Sequence, residues 1–126
     1  MITVKIVRDR TRKVTGVFMS GHAGYAEEGS DIICAGASTL IYTLANSLER
    51  ICVIDAQNIS KIKEDGGDGD VRAEIIIPYG TFTDKTADDR AAVVAETIYT
   101  GFISLASSVN ADGMKYIDII EDFTEV

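Results

Sequence analysis

The stretch DIICAGASTLIYTLANSLER, residues 31–50, decides how the rest of this chain is read. Ile33, Ala37, Leu40, Ile41, Leu44 and Leu48 recur at steps of three and four, and Ile51 continues the series. That spacing is one apolar face of an amphipathic α-helix. Ser30 and Asp31 stand at its start, and both residue types cap helices by accepting from free backbone N–H groups. The stretch is therefore a helix of about twenty residues. The segments on either side follow a shorter period.

Upstream, Ile2, Val4 and Ile6 alternate with Thr3, Lys5 and Val7. A period of two is a strand. Asp9 to Lys13 suits a turn, and Val14 to Met19 forms a second strand, so the two pair as a hairpin. Downstream, residues 58–64 and 71–77 form two more strands joined at the polar tip DGGDGD, with Pro78 ending the second. A second helix over 86–108 carries Ala91, Val94, Ala95, Ile98, Phe102 and Leu105 on one face. Asn110 to Gly113 breaks it, and Met114 to Ile120 closes the chain as a strand. The order ββαββαβ predicts an α+β fold, a mostly antiparallel sheet with two helices packed on one face. Residues 1–126 form one domain of ordinary size.

Apolar residues make up 46% and charged residues 25%, an ordinary balance for a globular chain able to fold without metal or disulfide. The net charge of −8 disfavours direct contact with nucleic-acid phosphates and suits a basic partner. No apolar run approaches the eighteen or so residues of a membrane span. The N-terminus places apolar residues before charges, the reverse of a secretory signal. A cytoplasmic location follows, where thiols stay reduced. Cys34 and Cys52 then read as one reactive and one buried thiol rather than a disulfide.

The helix start adjoins the loop SGHAGYAEEGS, residues 20–30, which holds the only histidine, His22. Cys34 lies just inside the helix; with Asp31 as N-cap it is the third residue of the first turn. There the unpaired N–H groups and the helix dipole favour a thiolate. Glycines on both sides of His22 let the loop fold back, so a thiol nucleophile and its base are within reach of one another. The same N–H groups could hold the oxyanion of a tetrahedral intermediate. The alternative is a small buried hydrophobe and an inert surface histidine, and spacing alone leaves both standing. A zinc site is excluded, because the chain has no cluster of three or four ligands at short spacing. DGGDGD lacks the alternating ligands and terminal Glu of a calcium loop and is a hairpin tip.

The whole block GHAGYAEEGSDIICAGASTL resembles the motif of the ribosomal-processing cysteine proteases, the Prp family. Gly21, His22, Ala23, Gly24, Gly29, Asp31, Ile32, Cys34, Ala35 and Ser38 occupy that family's motif positions. The chain length and the ββαββαβ order fit the family as well. One departure is Gly36-Ala37, where Ala-Val is more usual. The resemblance implies a cysteine endopeptidase that removes the N-terminal extension of a basic large-subunit ribosomal protein. It implies Cys34 as nucleophile, His22 as general base, a homodimer, and no cofactor. The rival functions are a non-enzymatic module that holds a ribosomal protein and a cysteine-dependent transferase.

The supporting positions each carry two readings. Asp31 either orients His22 or only caps the helix, and unpaired it would oppose a thiolate one turn away. Ser38 lies one turn past Cys34 on the same face. It either contributes to the site or bonds back to the carbonyl of residue 34. Gly21, Gly24 and Gly29 make residues 20–30 a candidate lid, with Tyr25, Glu27 and Glu28 facing a basic peptide. Tyr79, Phe82, Tyr99 and Phe102 either line a cleft or pack in the core. The face around Val93 and Ile98, or an exposed edge strand, is a candidate two-fold contact.

Overall fold

The structure, a computed structural model, describes residues 1–21, 30–54, 60–64, 71–81, 84, 86–110, 113 and 115–124; for 30, 31, 60–64 and 71 the backbone alone is described. Seven elements follow in the expected order: β1 Ile2–Arg8, β2 Val14–Gly21, α1 Ser30–Cys52, β3 Ser60–Glu64, β4 Val71–Ile76, α2 Ala87–Val109 and β5 Ile117–Phe123. They form a five-stranded sheet in the order β3-β4-β2-β1-β5. Pairing is antiparallel except at one edge, where β5 lies parallel to β1.

The strand order follows from two crossovers. Helix α1 carries the chain from β2 past β4 to β3, and α2 carries it from β4 past β2 and β1 to β5. The two connections move in opposite directions from antiparallel strands. A right-handed hand for each, the near-universal choice, sets both helices on the same face.

That face is the core. Ile2, Val4 and Ile6 of β1 pair through Val17 and Met19 of β2 with Ala73 and Ile75 of β4, and all are buried. Ile33, Ala37, Ile41, Leu44 and Leu48 of α1 and Ala91, Ala95, Ile98 and Phe102 of α2 close over them. Small residues set the helix–helix distance: the Leu40 side chain lies over Gly101, and Leu105 lies over Gly36. The opposite sheet face, with Lys5, Arg72, Glu74 and Ile76, is open.

Three apolar expectations need correction. Ile51 is 48% exposed, because the helix face turns away from the sheet before its last turn. Ile98 is buried and is no part of a surface contact, since its spacing from Ala91, Ala95 and Phe102 points it inward; Val93 alone is exposed. Helix α2 is also long and apolar enough by length and composition to cross a membrane, although no continuous apolar run announces it. Its buried face packs on α1 and the sheet. Cys52 and Phe102 are core residues, whereas Phe82 and the DGGDGD tip lie outside the described residues.

Helix α1 ends on a strained residue. Val53 has φ 58 and is 82% exposed, and the next N–H, of Ile54, returns to the carbonyl of Leu48 at 3.2 Å. A left-handed residue just past a helix is the place for glycine, and a β-branched side chain there costs about 1–2 kcal/mol. Val53→Gly should stabilise the protein by about 1 kcal/mol once the extra freedom of the unfolded glycine is discounted. A urea titration checks the sign.

Candidate functional site

Helix α1 begins at Ser30, so Asp31 is its second residue rather than its cap, and Cys34 is its fifth. The correction matters for the thiol. The first four N–H groups of a helix have no partner inside it, and residue five is the first that can donate back. Cys34 thus opens the second turn. Its Cβ tilts toward the helix start, as every helical Cβ does, and so leans over the free N–H groups of the first turn. The dipole argument survives in weaker form.

Cys34 is a free thiol, half-buried, and packs at the margin of the core. Cys52 is the other free thiol; it is buried, and desolvation raises its pKa against the opposing pull of Arg90. Cys52 is thus the buried thiol that was expected, and neither cysteine is in a disulfide. Ser38, one turn beyond Cys34, is half-buried too. Its neighbour Thr39 bonds back to the carbonyl of Ala35 at 2.7 Å, but among the described residues Ser38 makes no such bond. The helix-backbone reading of Ser38 loses ground accordingly.

His22, Gly24, Tyr25 and Gly29, together with Glu27 and Glu28, lie outside the described residues, as does the Asp31 side chain. The expected loop and lid over 20–30 are corrected at both ends, since Ser20 and Gly21 belong to β2 and Ser30 to α1. Gly21 ends β2, pairs with Ile2 of β1 and Val71 of β4, and has φ 107. A Cβ there would collide with the carbonyl oxygen of Met1. The first glycine of the motif is thus dictated twice, by a left-handed backbone and by a close strand approach.

A chain of contacts brings Gly21 and Cys34 to the same end of the fold. Gly36, two residues past Cys34, faces Leu105 in the last turns of α2. Asn110 caps α2 and bonds onward: its Oδ1 accepts from the N–H groups of Tyr116 at 2.8 Å and Ile117 at 3.3 Å, and its Nδ2 donates to the Ile117 carbonyl at 2.8 Å. Ile2, the partner of Gly21, donates to the Tyr116 carbonyl at 2.9 Å. Asn110 thus ties α2 to β5, and through the Tyr116 carbonyl to β1, a role the sequence reading missed by treating residues 110–113 as a plain break. The opposite helix ends are tied by Arg90, which donates to the carbonyl of Ile51 at 3.1 Å and pairs with Asp84 at 3.0 Å.

A second polar cluster at the far end of β1 was also missed. Arg8 is 8% exposed, donates through Nε to Glu121 at 3.0 Å, grips Glu96 through both terminal nitrogens, and lies 4.8 Å from the Tyr99 ring centroid. Its pKa is pushed up, first by the hydrogen bond to Glu96. The available signal was phase: residue 8 continues the inward series of Ile2, Val4 and Ile6.

Comparison with known proteins bears on this arrangement. The family model described as cysteine protease Prp matches residues 1–112. A Staphylococcus aureus protein named ribosomal processing cysteine protease Prp is 48% identical over 48 residues, covering 38% of this chain and 45% of its own. A Bacillus subtilis protein of the same name is 33% identical over 67 residues, covering 53% and 58%. The chain therefore spans about half the length of the relatives it matches. In structure the similarity extends further. The crystal structure of an essential ribosomal processing protease Prp from S. aureus, with a covalently linked product peptide, superposes with TM-score 0.67 at 26% identity, covering 97% of this chain and all of that one.

Proposed function

We propose a function for a chain that belongs to the cysteine protease Prp family: it hydrolyses a peptide bond, with the Cys34 thiol as nucleophile and His22 as its base. One observation carries the reading. A free, half-buried thiol stands at the fifth residue of α1, in a fold matched along its length by a protease structure that holds a covalently linked product peptide. In this reading His22 takes the Cys34 proton and the thiolate adds to the scissile carbonyl. The tetrahedral intermediate collapses to a thioester as His22 returns the proton to the leaving amine, and water then releases the acid. Backbone N–H groups at the start of α1 are the nearest candidates for holding the oxyanion.

The substrate in this proposal is the N-terminal extension of a basic large-subunit ribosomal protein. The names of the relatives and the net charge of −8 both favour it. Asp31 and Ser38 are assigned supporting places, Asp31 toward His22 and Ser38 beside the nucleophile. Residues 22–29, including Gly24, Tyr25 and Gly29, form the substrate-binding loop, into which Gly21 leads from the end of β2. The protein works in the cytoplasm, consistent with two unpaired thiols, and as a homodimer, for which the exposed Val93 and the two sheet edges offer surface.

Alkylation tests the nucleophile. At neutral pH iodoacetamide should modify Cys34 first, because Cys52 is buried with a raised pKa. Loss of cleavage should then track one equivalent of label on Cys34. Full activity in protein carboxymethylated at Cys34 would end the proposal and leave a binding module.

A further inference from the structure

The net charge of −8 is an average over two unlike regions. Residues 1–20 carry five basic residues against one acidic residue, whereas the remainder carries seven against nineteen. Such asymmetry marks a partner for the minority charge. Within the basic segment two cations are already used. Lys5 pairs with Asp122 at 3.4 Å, and Arg8 is gripped by Glu96 and Glu121. What remains is the turn joining β1 to β2, with Arg10, Arg12 and Lys13.

That turn is built to present them. The single acid within it, Asp9, is turned inward on the backbone: its Oδ1 accepts from Thr11 N at 2.8 Å, Thr11 Oγ1 at 2.7 Å and Lys13 N at 3.1 Å. Two further backbone bonds between residues 9 and 13 close the loop. Arg10 and Arg12 are exposed, and among the described residues neither side chain has an ion-pair partner. Lys13 lies 5.3 Å from the Tyr79 ring centroid.

A second feature lies beside the turn. Phe123 is the register partner of Arg8 and is 58% exposed, although it ends a strand. It shares a cleft of about 390 Å³ with Arg8, Arg12, Glu96 and Glu121. Arg8 bonds both glutamates and Arg12 brings the cleft to neutrality, so the surplus positive charge beside it comes from Arg10 and Lys13 of the turn, and Phe123 supplies the aromatic surface. Cations for phosphates beside an open ring for a base are the two elements of single-strand nucleic-acid recognition.

We propose that the β1–β2 turn and Phe123 form a contact site for single-stranded nucleic acid, with phosphates on Arg10 and Arg12 and one base stacked on Phe123. An acidic peptide would use the cations but has no use for the ring. The site lies at the opposite end of β1 from Gly21, a strand length of about 20 Å away, so it stands independently of the peptidase reading and leaves the cleavage end free.

Fluorescence anisotropy tests the site with a labelled ten-nucleotide oligoadenylate, in RNA and DNA versions, at low salt. Binding should weaken with salt at a slope near −0.7 per phosphate contact, or about −1.4 for two. The double variant Arg10→Glu/Arg12→Glu should lose at least about tenfold in affinity, and Arg10→Gln/Arg12→Gln should show the same direction without charge reversal. Phe123→Ala should lose about 5- to 100-fold, the range for one stacked base. Circular dichroism verifies that each variant is folded. Preference for the RNA or the DNA version identifies the source of the strand. Unchanged affinity in either double variant or in Phe123→Ala, or equal competition by polyglutamate, would overturn the proposal.

Discussion

Cys34→Ala should reduce kcat/KM for peptide cleavage by about 10⁴-fold or more, as loss of a nucleophile does in hydrolases that work through a covalent intermediate. The variant should remain folded. Cys34 is half-buried at the margin of the core, so truncation to alanine removes one sulfur from a site that water already reaches. The stability cost is then about 1 kcal/mol, well below the cost of emptying a fully buried position. A large loss of rate with a nearly unchanged melting curve is the signature of chemistry rather than of packing. Cys34→Ser should be nearly as inactive, because a hydroxyl needs a stronger base than a thiol does. Cys52→Ala provides the contrast: it should cut at the normal rate and melt earlier, since that thiol is buried among apolar neighbours.

Gly21→Ala should be the most damaging small substitution outside the nucleophile. The new methyl meets two obstacles. The backbone at φ 107 disfavours any L side chain, and the Met1 carbonyl occupies the space the methyl needs. Strain of about 1–2 kcal/mol from the first and about 1–3 kcal/mol from overpacking give a loss of roughly 2–5 kcal/mol. Backbone cannot yield as a long side chain does, so the β1–β2 edge must open at Ile2. The next residue is His22, the proposed base, and a displacement of about 1 Å in a catalytic group is enough to cost about 10²-fold in rate. Gly80→Ala separates the two causes. Gly80 has φ 82 but nothing within 4 Å of its would-be Cβ, so it carries the conformational strain alone. Equal stability losses in the two variants would remove the collision from the account.

The helices were legible in the sequence because their apolar spacing is long and regular. Ile33 to Leu48 and Ala91 to Leu105 leave little choice of period, and their bounds moved by only a residue or two. The two hairpins, β1 with β2 and β3 with β4, were legible from their short polar connections, but the remaining strand neighbours were not. The alternation in residues 2–7 shows which side chains face inward, but nothing in it says that β5 joins parallel to β1 or that β4 lies beside β2. Those pairings follow from where the crossovers carry the chain. The place of Cys34 near a helix start was legible, although the start at Ser30 puts it two residues deeper than an Asp31 cap implies. Gly21 was read as part of a lid, whereas it ends β2, where its backbone angle and the approach of Met1 require a glycine. Arg8 and Asn110 were not found, because each acts through partners distant in sequence: Glu96 and Glu121 for the one, Tyr116 and Ile117 for the other. Average charge was the least informative quantity, since −8 conceals a basic turn.

The most direct measurement combines the purified protein with the large-subunit ribosomal protein bearing its N-terminal extension. Intact mass spectrometry then reads the product, with Cys34→Ala run in parallel. The account predicts one new N-terminus where the extension ends, formed by the unmodified protein and absent with Cys34→Ala. The same product formed at the same rate by Cys34→Ala, or an extended protein left intact by the unmodified enzyme, would contradict it.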